Sequence, residues 1–254
     1  VGITFDYLTS TDILKLSKAT MAGVFDMAVD MNHFTGGCHF AWDCQGYQKG
    51  CDSIPCPALL DPEYKYLAKR NFKIKKQNAE IGQFQILAGT DWTVNQAKSS
   101  LIYKNQQRIF NIPGIIDTKI FNTDNKTIAK ELFGLSKDKF YVLSGSENTN
   151  DPRKGYVYFV KCLNIFWDSL ADLDRQRVEV LVLTRMMDHE LHADIKFKKA
   201  HIAYIKDDRL LALLYKAADA FINSSVEDSG PAMLLEAMAC GLSVASFNVG
   251  AAKE

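Results

Sequence analysis

Residues 139–170 read "KFYVLSGSENTNDPRKGYVYFVKCLNIFWDSL". A short apolar run breaks at "SGS", a polar loop holding Pro and Gly follows, and an apolar stretch of helical length closes the unit. The pattern continues with strand "VEVLVLT" (178–184), strand "HIAYI" (201–205), helix "DRLLALLYKAA" (208–218) and strand "DAFINSS" (219–225). Strands alternating with helices predict a parallel α/β sheet covered on both faces.

In such a sheet ligands sit at the carboxyl ends of the strands, where loops and helix N-termini converge. Two loops fall there, "SGSENTNDPRKG" (144–155) and "SSVEDSGP" (224–231). Neither GxGxxG nor GxxxxGK[ST] occurs in the chain, so dinucleotide-binding and P-loop readings lose their main support. An anion would have to be held differently. Pro231 suits the first position of a helix, with Ser229 or Gly230 as its cap, and the free N–H groups there carry a partial positive charge. Lys154 brings a full charge to the lip of the other strand.

On the helix that starts at Pro231, Met233, Leu234, Ala237 and Met238 make an apolar face, with Glu236 beside it on the second turn. A carboxylate there is placed to accept two hydrogen bonds from a vicinal diol such as a ribose, and Asp228 to accept from other hydroxyls. The plainer reading makes Asp228 and Glu227 helix caps and Glu236 a solvated side chain; the residues alone leave the two readings level.

Upstream, "VGITFDYL" reads as a strand and "TDILKLSKATMA" (11–22) as a helix, followed by a Gly-, Cys- and Pro-rich segment over 32–60 that reads as a loop. Residues 62–80, "PEYKYLAKRNFKIKKQNAE", form a basic helix candidate whose cations read first as a solvated face, ahead of an anionic acceptor or membrane surface. "QFQILAGTDW" then gives a strand, Asp91 and Thr93 as candidate caps, and the helix "VNQAKSSLIY"; a further strand, "QRIFNIP", precedes "GIIDTKIF". A domain boundary is expected just beyond it, dividing the chain into 1–118 and 119–254.

Thirty basic and thirty acidic residues cancel over the 254-residue chain, so the overall balance gives no case for a nucleic-acid partner. A hydrophobic content of 47% is enough for packed cores. No apolar run approaches the ~20 residues that span a bilayer, and the first residues lack a signal-peptide layout, so the expected location is cytoplasmic. The chain opens inside a strand-like segment without Met and stops at "GAAKE", which reads as an internal fragment of a longer protein.

From Asp219 to Glu254 the run containing D-S-G-P-x-x-x-x-E-A-M-A-C-G (228–241) resembles the donor-site signature of retaining GT-B glycosyltransferases of family 4, the glycosyl transferases group 1. Asp228 and Glu236 have the family's spacing of two acids with seven residues between, with Asp where Glu is usual and Glu227 as the adjacent alternative. "IPGIIDTKIF", "NDPRKGYVYFVKCL" and "LLYKAADAFINSS" are similar to three further family segments in the family's order. The Cys-rich segment is similar to a bacterial clade associated with surface polysaccharide synthesis.

The resemblance implies two Rossmann-like domains with parallel sheets, both truncated here: an acceptor-side domain ending in 1–118 and a donor domain beginning in 119–254. It implies transfer of a sugar from a nucleotide sugar to a saccharide or lipid-linked saccharide acceptor, with retention, no cofactor needed for catalysis, and peripheral contact with the inner face of a membrane. Glu236 is then expected to hold the ribose, Asp228 or Glu227 the donor sugar hydroxyls, and Lys154 the diphosphate. Thr149 stands where many relatives carry an Arg, with Arg153 nearby, and Val29 aligns with the family's active-site His, leaving His33 and His39 as catalytic candidates. These departures keep a second reading open, a sugar-nucleotide-binding or Cys-loop interaction protein impaired in catalysis.

Cys38, Cys44, Cys51 and Cys56 fall within nineteen residues, separated by five, six and four others. In a cytosolic chain this suggests a structural zinc site rather than disulfides, with thiols buried in an irregular loop as the other reading. Cys162 and Cys240 stand in apolar segments and read as small core hydrophobes.

Overall fold

The structure, a computed structural model, describes residues 8–59, 61, 63–104, 107–112, 114–124, 126–230 and 232–253. The strand expected at "VGITFDYL" lies, apart from Leu8, outside the described residues. Contacts divide the chain into two compact units, Val1–Pro113 and Gly114–Lys253.

The first unit holds a three-stranded parallel sheet of β1 (Phe25–Ala28), β2 (Gln85–Ala88) and β3 (Ile109–Asn111), in that spatial order. Its helices are α1 (Ser10–Thr20), α2 (Ala68–Ile81) and α3 (Asp91–Ser99). Thr9 and Asp12 form a reciprocal capping box that starts α1. Thr90, rather than the expected Asp91 or Thr93, caps α3: its hydroxyl accepts from the Thr93 N–H, because the extended Thr90 backbone points its oxygen at the free amides of the first turn.

The Cys-rich segment is structured. Phe34, Cys38, Ala41, Tyr47, Cys51 and Cys56 are buried in one cluster with Ile86 and Ala88 of β2 and with Ala68, Phe72 and Ala79 of α2. Ser100 Oγ donates to Phe34 O at 2.7 Å, and Leu101 N donates to Tyr47 O at 3.2 Å, stitching the segment to the residues after α3. A density of Gly and Pro marks turns, but it does not say whether the side chains between the turns are buried.

The second unit is a five-stranded sheet, parallel throughout. In space the strands run β6 (Lys198–Ala203), β5 (Val178–Thr184), β4 (Phe140–Gly145), β7 (Ala220–Asn223) and β8 (Ser243–Ser246). The helices are α4 (Lys126–Leu132), α5 (Tyr156–Ser169), α6 (Asp172–Arg177), α7 (His189–Ala193), α8 (Asp208–Ala217) and α9 (Ala232–Ala239). Side-chain alternation divides the strands between two cores. Val142, Val180 and Val182 pack with Tyr156, Phe159, Val160 and Leu163 of α5, while Tyr141, Leu143, Leu181, Leu183 and Phe221 pack with α8 and α9.

The chain builds outward from β4 through β5 to β6, then returns along α8 to place β7 on the other side of β4. The order reverses between β4 and β7, which makes their carboxyl ends the switch point where α/β sheets take ligands. Both loops singled out in the sequence start there.

Two expectations need correction. Cys162 is exposed; it lies off the buried stripe of α5, which runs through positions 156, 159, 160 and 163. The last strand before α8 spans 198–203 rather than 201–205, since Lys198 and Lys199 keep their long side chains exposed or partly exposed on an edge strand.

Candidate functional site

The loop after β4 and the loop after β7 are joined at several points. Val226 N donates to Arg153 O at 2.8 Å, and Ser224 Oγ donates to Lys154 O at 2.8 Å. Gly155 lies at φ +60°, and a Cβ there would sit 2.1 Å from Ser224 O, so only glycine lets the two backbones close up. Gly250 makes a similar approach to Ser229 and Gly230 from the segment after β8, with backbone atoms 2.8 Å from where its Cβ would be.

Lys154 Nζ stands 2.6 Å from Asp228 Oδ2, with the carboxylate side chain only 8% exposed. The other oxygen of Asp228 accepts the Gly230 N–H at 3.2 Å. Two predicted site residues thus meet across the loops. An ammonium has three donors, so the pairing with Asp228 leaves Lys154 able to bind an anion as well.

Arg153 turns to a local partner, with Nη2 2.5 Å from Asp151 Oδ2. Glu227 lies in the same loop, its N–H 3.5 Å from Arg153 O. Ser229 is buried, Gly230 is exposed, and Pro231 lies outside the described residues. The residues after them form α9, and Glu236 on that helix is half-buried.

Burial pushes the Glu236 carboxyl above the ordinary glutamate range, the Tyr215 hydroxyl opposes this by hydrogen bonding, and Asp208 adds to the rise. Tyr215 Oη donates to Glu236 Oε2 at 2.8 Å.

Sequence reading missed the polar floor under Lys154. Ser144, Ser146, Thr149, Tyr156 and Ser224 enclose with it a cavity of about 10 Å³, room for roughly one water. Tyr156 Oη bonds His192 Nδ1 at 3.0 Å, and Thr149 Oγ1 accepts the Asp188 N–H at 2.6 Å. The run of small hydroxyls in "SGS" and "SS" was the available signal. Tyr215 gave none, because on an amphipathic helix it reads as core.

His33 and His39 belong to the first unit, where each faces an acid. His33 Nδ1 lies 3.7 Å from Asp26 Oδ2, and His39 Nδ1 lies 2.6 Å from Asp30 Oδ2. Burial alone would raise the Asp30 carboxyl, but hydrogen bonds from His39 and the Asn32 N–H hold it below its ordinary value. Val29 is half-exposed.

The zinc reading is not supported. Among the described residues no group of three or more His, Cys, Asp or Glu side chains is arranged to hold a metal ion. Cys38, Cys51 and Cys56 are buried as thiols in an apolar core. Burial pushes Cys38 up to about 11 and Cys51 up to about 12, so both rest as neutral thiols in this core.

Residues 145–254 match the family model described as Glycosyl transferases group 1. No curated protein sequence matches the chain significantly. Its fold is shared with glycosyltransferases of the GT-B type. HepE of Anabaena, in a structure that holds UDP and glucose, superposes with a TM-score of 0.64 at 14% identity, over 96% of this chain and 58% of its own. WaaG, a glycosyltransferase involved in lipopolysaccharide biosynthesis, gives 0.61 at 16% identity, over 93% of this chain and 62% of its own. Sucrose-phosphate synthase of Thermosynechococcus elongatus gives 0.55 at 18% identity, over 82% and 49%. The chain therefore spans less than two thirds of the length of these neighbours, and what it shares with them is an α/β fold with parallel sheets and, over 145–254, a glycosyl transferases group 1 match.

Proposed function

We propose that the protein is a glycosyltransferase that moves a sugar from a nucleotide-sugar donor to a saccharide or lipid-linked acceptor with retention of configuration, in surface polysaccharide or glycoconjugate synthesis. The observation that carries this reading is the meeting of Lys154 and Asp228 at the β4/β7 switch point, with Glu236 on the helix that follows. The family match over the same residues supports it, as does UDP in the HepE structure.

In this reading the second unit takes the donor and the first the acceptor. Glu236 accepts from the ribose hydroxyls, and Asp228 or Glu227 from the sugar hydroxyls. Lys154 and the start of α9, with Ser229, Gly230 and Pro231, take the diphosphate, and Arg153 flanks it. Charge builds on the departing diphosphate in the transition state, so donors already fixed in place lower the barrier without reorganising. His33 and His39, each oriented by a carboxylate, are the candidates for contact with the reacting sugars.

Peripheral membrane contact at a cytoplasmic face is supported by a shallow hollow of about 510 Å³ lined by Ile54, Tyr66, Lys69, Arg70, Lys73 and Ile74. Apolar and cationic side chains together suit an anionic bilayer surface. No helix among the described residues is long and apolar enough to cross a membrane.

The reading is tested by thermal stabilisation with UDP, GDP and ADP, followed by donor hydrolysis with the matching nucleotide sugar. A ligand at a hundred times its Kd adds about 2.7 kcal/mol of stability, which a melting curve resolves. Stabilisation by none of the three overturns the donor site. Binding without any turnover favours the catalytically impaired alternative, which Val29 in the aligned His position supports.

A further inference from the structure

Tyr215 has no place in the donor contacts, yet its hydroxyl reaches one of the carboxylates assigned to them. The residue is fully buried. Its ring is held by Phe121 at 6.2 Å and Phe221 at 5.9 Å between centroids, the second edge-on. A side chain fixed on two sides in this way aims its hydroxyl in one direction. That hydroxyl donates to Glu236 Oε2 at 2.8 Å, and Glu236 Oε1 has no partner among the described residues.

We propose that Tyr215 is a positioning residue: it holds the Glu236 carboxyl in one orientation, with one oxygen clamped and the other presented to the nucleotide ribose. This rests on the donor-site reading above. Burial also pushes the Tyr215 hydroxyl well above its ordinary range, so it keeps the proton that it donates to Glu236.

The balance at Glu236 is set by few groups. Burial in the α8/α9 core favours the neutral acid, and Asp208 at the start of α8 does so too. Cys240, just past the end of α9, donates its N–H to Glu236 O; burial raises its thiol titration and Lys216 of α8 opposes the rise. Tyr215 is the group that works in the other direction. A neutral Glu236 would carry a proton and accept less strongly, so the phenol hydrogen bond, which favours the carboxylate, works toward the acceptor that a ribose needs.

The test compares wild type, Tyr215→Phe, Glu236→Gln and the double variant. Phe keeps the ring between Phe121 and Phe221, and a melting curve checks that each variant folds. UDP, GDP and ADP affinities are measured from pH 5 to 8, and the Glu236 carboxyl is followed by carbon NMR without ligand.

In Tyr215→Phe the carboxyl should titrate at higher pH, affinity at pH 7 should fall about 5- to 10-fold, in line with loss of a charged hydrogen bond, and the acid-side loss of binding should move to higher pH. In the Glu236→Gln background Tyr215→Phe should change affinity by less than about 2-fold, as expected when one residue acts through the other. An unmoved carboxyl titration overturns the proposal, as does an equal loss in both backgrounds, which would mark a packing effect. If the titration moves but none of the three diphosphates binds wild type, the hold of Tyr215 on Glu236 stands and the donor-site reading falls.

Discussion

The Lys154 ammonium and the Asp228 carboxylate, 74 positions apart in sequence, lie 2.6 Å apart at the end of the central strands. Each is the other's charge partner, so neither can be changed without altering what the other does. Lys154→Ala would leave Asp228 buried with only the Gly230 N–H, costing about 1–3 kcal/mol of stability. It would also weaken nucleoside diphosphate binding. The double variant Lys154→Ala, Asp228→Asn should recover most of the stability and none of the diphosphate affinity. Urea midpoints together with UDP titrations separate the two effects.

Glu236→Gln should behave in the opposite sense, holding or gaining stability while losing nucleotide affinity. Burial raises the folded-state carboxyl above the ordinary value of 4.5. The contribution of such a group to stability is present below its unfolded value and lost as pH rises through the folded one. The advantage of Gln is therefore greatest at neutral pH and vanishes in acid. Melting temperatures of the two proteins should converge on acidification; a Gln variant less stable at pH 7 would contradict the sign.

Gly155 and Gly134 allow a matched pair of substitutions. Both lie in the left-handed region, at φ +60° and +62°, but a Cβ at Gly155 meets Ser224 O at 2.1 Å whereas Gly134 has nothing within 4 Å. Gly134→Ala should cost only the conformational penalty of about 1–2 kcal/mol. Gly155→Ala should cost clearly more, because it must push the two loops apart, and it should also weaken diphosphate binding. Equal melting shifts would argue against a tight loop junction.

The cysteines should report burial rather than metal. With a thiol reagent under native conditions Cys162 should react first and Cys44 next, while Cys38, Cys51, Cys56 and Cys240 wait for unfolding. Peptide mass mapping of the labelled protein gives the order. Prolonged treatment with a chelator should leave the melting temperature unchanged, and a drop would revive a metal in the first unit.

Charge reversal at Arg70 and Lys73 should lower flotation with phosphatidylglycerol-containing vesicles and leave nucleotide binding intact. Neither cation has an ion-pair partner among the described residues, whereas Lys69 pairs with Asp52 at 2.9 Å. Added salt should weaken the wild-type association in the same assay.

The parallel sheet of the second unit was legible because β4, β5 and β7 are short apolar runs ended by small polar residues, and because α8 follows a helical period. The loops at the switch point followed from the same punctuation. The first unit was less legible. β1 is only four residues long, too short for its alternation to stand out, and its apolar Phe25 and Met27 are exposed rather than buried. The segment from Phe34 to Cys56 owes its order to long-range burial against α2 and to hydrogen bonds with residues after α3, neither of which leaves a periodic trace. The Lys154 to Asp228 pairing depends on two strands becoming neighbours, and the Tyr215 to Glu236 bond on two helices packing together. Local pattern carries neither.

The helix that returns the chain across the sheet, α8, is also the one that carries Tyr215. Joining β7 to β4 makes the most distant strand pairing of the second unit and so bears a large loop-closure cost. Glu236 takes its clamp across 21 residues, but Lys154 meets Asp228, 74 residues on, at the end of that pairing. A nucleoside diphosphate would then select the finished sheet over any partly assembled form, so its recovery during refolding would time the last step of assembly rather than the first collapse.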